Sequence, residues 1–436
     1  YDNDFIDPQL ILARNFSNVT LLAQQTILAW ADETATLGPW SVTNKTIVPP
    51  SGDKHDYMSW APYFWPDCSK VGNTTALTPE EIWTTCPYVD RDGQFNPDVR
   101  TSGLNDIGNF GDLSDAVLYN SLAWAINGSS VYSANVARFI DTWFINPDTG
   151  MNPNLNYAQM ERGPTGQIGT HTGLLDLKSV AKIVPSVLIL RDGKAPEWTA
   201  ALDAGFVNWT NSYLPWLQTA KIAVEEEDSL NNHGSFYFNQ LASLQILVGN
   251  MSGANQTIQK YFTGIYKGQI ATNGDQPFES VRTHPYHYRA YNLAAMITNG
   301  RIAEFLAYDA WNLTTKSGAT IKDACDFAMA QAPGSEPPDE IYALVNAIGS
   351  IYGDPNGTYA KWLFSHSGNY SSDASFLWNQ PFADLVTVNT TSSNSTGSSN
   401  NKQNGASLGA DISMALWAAG SLTSATVMAL SLFKFL

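Results

Sequence analysis

The sequence predicts an all-α protein whose helices form hairpins packed side by side around a common core. Three observations predict it. One-sided apolar stripes at spacings of three and four recur from Asp7 to about Leu385, runs of alternating β-branched residues are scarce, and Gly, Pro and Asn break the stripes repeatedly. The clearest stripe runs from Glu340 to Tyr352, where Ile341, Leu344, Val345, Ile348 and Ile351 share one face. Asp112 to Ile126, Ala134 to Phe144, Phe238 to Val248 and Arg301 to Trp311 read the same way. With 436 residues and a hydrophobic fraction of 44%, the chain can fill an ordinary globular core.

Residues 1–386 form the expected folded unit. From Thr387 the composition shifts to Ser, Thr, Asn and Gly, so residues 387–405 are expected to be a glycosylated stalk. Residues 406–436, mostly apolar with one Lys434, have the form of a glycosylphosphatidylinositol signal. Small residues at Asn404, Gly405 and Ala406 precede a short spacer and an apolar terminus. A transmembrane helix is the alternative, though the tail has no basic cytoplasmic flank.

Sequons recur at Asn15, Asn18, Asn44, Asn73, Asn127, Asn208, Asn250, Asn255, Asn312, Asn356, Asn369, Asn389 and Asn394, which points to a secreted or cell-surface glycoprotein. The three cysteines fit that compartment if Cys68 pairs with Cys86 and Cys325 stays a free thiol. No CxxC or clustered Cys/His spacing suggests a redox or zinc site. The net charge of −17 argues against nucleic acid or a basic membrane-binding patch as partner, leaving a lipid anchor as the expected route to a membrane. The chain is expected to act as a monomer.

Three segments concentrate polar and aromatic groups. In Asn231-Asn232-His233-Gly234-Ser235-Phe236-Tyr237, amide and imidazole can together bind a carboxylate, or they can simply cap the helix that follows. The acidic run before it, Glu225 to Asp228, reads as a solvated face. Arg282 to Leu293 holds two Arg, two His and three Tyr, and Pro285 sets a break after which Tyr288, Tyr291 and Asn292 share a helical face. The third, Lys54 to Pro66, is too rich in aromatics and Pro for a regular helix and reads as an ordered loop. Its Tyr63 and Trp65 could cover a sugar cleft or be buried under the domain.

Together with Trp143 to Gln159 and Asp275-Gln276-Pro277-Phe278-Glu279, these segments stand in the same order as in the alginate lyase domain family. The chain resembles that family over about residues 50 to 310. It looks most like the fungal and Bacteroides single-domain branch, polysaccharide lyase family 38, and is more distantly similar to family 5. The resemblance implies an (α/α) toroid of helical hairpins with a central cleft, and a lyase acting on an acidic polysaccharide without metal or cofactor. Position by position, it implies that Asn232, His233, Arg282 and Tyr288 are the catalytic group. Lys54, Tyr63, Trp65, Gln159 and His287 are the expected substrate-binding residues. Arg282 and Tyr288 stand six positions apart, one fewer than in the bacterial enzymes.

These residue types suit β-elimination. The C5 proton of a uronate is weakly acidic until the adjacent carboxylate is neutralised, which Asn232, His233 and Arg282 could do. Tyr288 could then take the proton, its pKa lowered from about 10 by the cations nearby in sequence, Arg282, His284, His287 and Arg289. A single Tyr serving as base and acid requires H5 and O4 on one face, as in β-mannuronate and β-glucuronate. α-Guluronate would need an opposed base such as His233. Two other functions are compatible with the sequence. A glycoside hydrolase would use carboxylates, for example Asp56 or Asp275 with Glu279, and a wall-anchored glycan-binding protein would use Tyr63 and Trp65 without catalysis.

Overall fold

Helices whose surfaces are apolar almost all round must be enclosed by others, and the chain provides several of these. The computed structural model describes residues 3–379 apart from 73–75, 101–102 and 166–167. The stalk 387–405, the tail 406–436 and the sequons at Asn73, Asn389 and Asn394 lie outside the described residues.

Helix α1 (Leu21–Leu37) packs on α2 (Asp106–Asn127), which also carries α3 (Ser130–Ile140) and α4 (Val180–Asp192). After α5 (Ala200–Thr219) and α6 (Lys221–Glu227), α7 (Asn232–Leu247) packs on α4. Helix α7 is flanked in turn by α8 (Met251–Thr263) and α9 (Pro285–Phe305). Beyond α9 come α10 (Ile321–Met329), α11 (Tyr342–Tyr352) and α12 (Thr358–His366). Turns at Tyr370–Ser372 and Ala374–Phe376 then return to α1. The result is an (α/α) toroid. Its ends are tied where Trp378 Nε1 donates to Asp4 Oδ2 at 3.0 Å and Arg301 pairs with the same carboxylate at 3.3 Å.

Every residue of α7 except His233 is buried. Its interior polar groups are satisfied across the core: Asn239 Nδ2 donates to Ala295 O at 3.1 Å and Gln240 Nε2 to Leu174 O at 2.8 Å. The helix starts where Asn231 accepts from the His233 backbone N–H at 3.2 Å, and α9 starts with Pro285 in its first turn.

Two expected helices are corrected. Arg301 to Trp311 is not one helix: α9 ends at Phe305 and Ala307 is left-handed, with φ 57°. Trp311 instead folds back from the loop over Gly300, where a Cβ would lie 2.3 Å from its ring. Ala134 to Phe144 divides into α3 and a wider turn at Asp141–Ile145.

The Lys54–Pro66 segment contains short strands that period-2 reading cannot detect. Strand β1 (Met58–Trp60) pairs in parallel with β4 (Tyr157–Met160), and β2 (Phe64–Pro66) pairs antiparallel with β3 (Tyr88–Asp90). The expected Cys68–Cys86 disulfide is present and joins the chain just beyond β2 to the chain just before β3, while Cys325 is free and buried. No helix among the described residues is long and apolar enough to cross a membrane.

Candidate active site

The start of α7, the start of α9 and the β1–β2 segment converge on a cleft of about 890 Å³, open solvent included. Tyr63, Gln159, Asn232, His233, Arg282 and Tyr288 all line it. The four residues singled out as a catalytic group are thus brought together from positions up to 56 apart in the chain, Asn232 to Tyr288.

Tyr288 is buried, and its hydroxyl meets that of Tyr63 at 2.9 Å. The Arg282 guanidinium lies 3.8 Å from the centre of the Tyr288 ring, so the shorter spacing still brings the two together. Arg282 is itself held by Asp92, through Nη2 to Oδ1 at 2.6 Å and Nε to Oδ2 at 3.2 Å. The expected field of four cations is corrected. His284 faces Gly93 O, His287 faces Glu340, and Arg289 pairs with Asp275 at 2.9 Å. Burial pushes the Tyr288 phenol well above its ordinary range and the bond to Tyr63 adds to this, with Arg282 opposing. Burial also raises Tyr63, against the pull of Tyr288 and Arg282.

Asn232 is anchored by Glu279, which accepts from its backbone N at 2.7 Å and its Nδ2 at 2.8 Å. The second N–H of that amide remains for a ligand, and Oδ1 is buried without a protein partner. Burial raises the Glu279 carboxyl, and Asn232 counters this.

His233 turns Nδ1 to Glu226 Oε1 at 2.8 Å, and His171 turns Nδ1 to Glu226 Oε2 at 2.6 Å. Burial pushes the Glu226 carboxyl up, but His233 and His171 outweigh it and hold it below the usual range. The same contact holds His171 above its ordinary value. The solvated reading of the acidic run is therefore corrected: Glu225 and Asp228 are exposed, but Glu226 is buried. These ligand-type atoms lie within 4.8 Å of one another, and N–O distances of 2.6 and 2.8 Å fit shared protons.

Gln159 lines the cleft with both ends of its amide engaged. Its Nε2 donates to Asp176 at 2.8 Å and its Oε1 accepts from Thr172 at 2.9 Å. Its backbone is left-handed, φ 46°, a strained conformation supported by its N–H donating to Ser59 Oγ at 2.7 Å. Asp176 accepts in addition from Tyr57 at 3.0 Å and from Ser59.

Three expected binding residues do not line the cleft. Lys54 is exposed on a turn whose carbonyl accepts from Lys45 at 2.9 Å. The Trp65 ring lies under Arg91 at 5.5 Å, with its N–H taken by Gln94 O at 2.8 Å. His287 stacks on Tyr291 at 5.6 Å from behind the cleft wall. The carboxylates considered for hydrolysis, Asp56, Asp275 and Glu279, are also absent from the lining. Lys178, Tyr291, Asp92 and Asp176 do line it. Tyr291 belongs to the dense segment that also holds Tyr288, whereas Lys178, Asp92 and Asp176 are single residues with no local pattern to mark them.

The family profile described as alginate lyase matches residues 41–338. An alginate lyase from Bacteroides ovatus is 29% identical, with a TM-score of 0.75 over 87% of this chain and 99% of that one. Alginate lyase A1-III complexed with a tetrasaccharide is 14% identical, with a TM-score of 0.46 over 80% of this chain and 89% of that one. Alginate lyase A1-III from Sphingomonas species A1 is 13% identical, with a TM-score of 0.43 over 76% and 90%. The comparison with curated proteins gives no match.

Proposed function

The chain belongs to the alginate lyase family and is a polysaccharide lyase, and from that premise we propose that it cleaves polymannuronate or β-glucuronan by syn β-elimination, with Tyr288 as base and then acid. The observation that carries this reading is the Tyr288 phenol in the cleft under the Arg282 guanidinium, beside Asn232 and His233. Arg282, the free N–H of Asn232 and His233 bind the uronate carboxylate and draw off the charge that builds up when C5 is deprotonated.

The C5 proton passes to the Tyr288 oxygen as its phenolate. The C5–H electron pair becomes the C4=C5 double bond, the C4–O4 bond breaks, and the phenol returns the proton to O4. No water is consumed, and the new non-reducing end is an unsaturated uronate. Because burial holds the phenol high, the base form needs help. Arg282 supplies it by its charge, against both burial and the contact with Tyr63.

The protein is read as secreted and glycosylated, with its C-terminal tail as a lipid-anchor signal. In support, the sequon asparagines at 15, 18, 44, 127, 208, 250, 312, 356 and 369 are exposed, and none of them lines the cleft. The substrate is tested by following ultraviolet absorbance on polymannuronate, polyguluronate, glucuronan, pectate and hyaluronan. Absorbance should grow with polymannuronate or glucuronan; growth confined to polyguluronate or pectate would reject the syn geometry.

A further inference from the structure

One buried carboxylate joins two imidazoles at the edge of the cleft. Glu226 is fully buried on α6; its Oε1 faces Nδ1 of His233 at 2.8 Å and its Oε2 faces Nδ1 of His171 at 2.6 Å. An ionised carboxylate only accepts, so each Nδ1 carries a proton. In neutral His233 the lone pair therefore sits on Nε2, across the ring, in a residue that lines the cleft. The two histidines differ in solvent access: the His171 side chain is 42% exposed and that of His233 is 15% exposed.

We infer that Glu226 is the positioning residue that fixes the His233 tautomer, and that His171 shares the same carboxylate as a second proton carrier and so sets the pH at which His233 charges. The inference rests on the reading of His233 as part of the lyase site. The physical basis is that a single negative charge faces two rings whose centroids are 6.0 Å apart. A proton on His171 neutralises Glu226 and, by like-charge repulsion, disfavours a second on His233. With its Nδ1–H on Glu226, His233 can donate to the substrate carboxylate only through a protonated Nε2, so a charge on His171 opposes the donor form.

The surrounding charges do not replace this control. Glu225, which also acts on His171, pairs with Lys221 at 3.6 Å, and Glu227 pairs with Lys260 at 2.6 Å. On the cleft side, His233 interacts with Glu279, which is held by Asn232 and also feels Arg282. Neither element provides a second acceptor for the His233 Nδ1.

The test is nitrogen NMR of the imidazoles across the neutral pH range in the full protein, with pH profiles of kcat/KM measured alongside. Wild-type His233 should carry its proton on Nδ1. His171→Asn leaves the whole carboxylate charge to His233 and should raise its midpoint by about one pH unit. Glu226→Gln should populate the Nε2–H form and lower the midpoint. An Nε2–H tautomer in the wild type, or an unmoved His233 midpoint in His171→Asn, overturns the inference. Because His171 is partly exposed, that variant carries the test even if Glu226→Gln does not fold. If the NMR midpoint moves as expected and the kcat/KM profile does not, the carboxylate link is supported and the reading of His233 as a lyase residue fails instead.

Discussion

A phenol that is buried, bonded to a second phenol and covered by a guanidinium becomes a base only if its neighbours favour the phenolate. For Tyr288, Tyr63 is the neighbour whose contribution can be removed most simply, because Tyr63→Phe deletes one hydrogen bond and keeps the ring. The Tyr288 phenol then loses a contact that holds its pKa up, and its pKa should fall. The pH–rate profile should therefore move toward acidic pH, and the phenolate fraction at neutral pH should rise. A profile that keeps its midpoint would mean that Tyr63 only packs. Much at this scale was legible in the sequence. Asn232, His233, Arg282 and Tyr288 sit in two dense segments, and order along the chain identified both. Glu226 was not legible, because a carboxylate in an acidic run looks solvated until its imidazole partners are seen. His171, 55 residues upstream of it, has no local pattern at all.

Short elements explain where pattern reading stopped. Three-residue strands such as β1 and β2 are too brief for alternation to show, yet they carry the chain past the cleft at Tyr63. Long inner helices such as α7 are buried on nearly every face, so a one-sided stripe understates their length and finds only Phe238 onward. The disulfide belongs to this scale because it ties together the ends of β2 and β3. Replacing Cys68 and Cys86 by Ser should cost about 3 kcal/mol by loop entropy. KM should rise and kcat fall together, since the tied strands lead to Tyr63, which meets Tyr288, and to Asp92, which holds Arg282. Thermal unfolding with and without reductant measures the first effect, and steady-state kinetics the second. Unchanged stability on reduction would remove the disulfide from this role.

An acidic molecule that acts on an acidic polymer meets long-range repulsion that its cleft must overcome locally. The net charge is −17, whereas Arg282 and Lys178 bring cations to the cleft. Added salt screens the repulsion over distances beyond about 10 Å more than the close contacts inside the cleft. Cleavage at low substrate should therefore speed up as salt rises from very low concentration, which initial rates across a salt series would check. The toroid was legible through family resemblance and helical periodicity, whereas the charge balance inside the cleft required coordinates. The most direct measurement compares the wild type with Tyr288→Phe by ultraviolet absorbance on the best polyuronate, with circular dichroism to verify the fold. The phenylalanine keeps the ring and removes the only group proposed to move the proton. Activity should fall by about 10²–10⁴-fold with folding intact, while Tyr286→Phe, whose hydroxyl bonds Pro338 O at 2.9 Å, stays near wild type. Tyr288→Phe that retains most of its elimination rate would contradict the assignment.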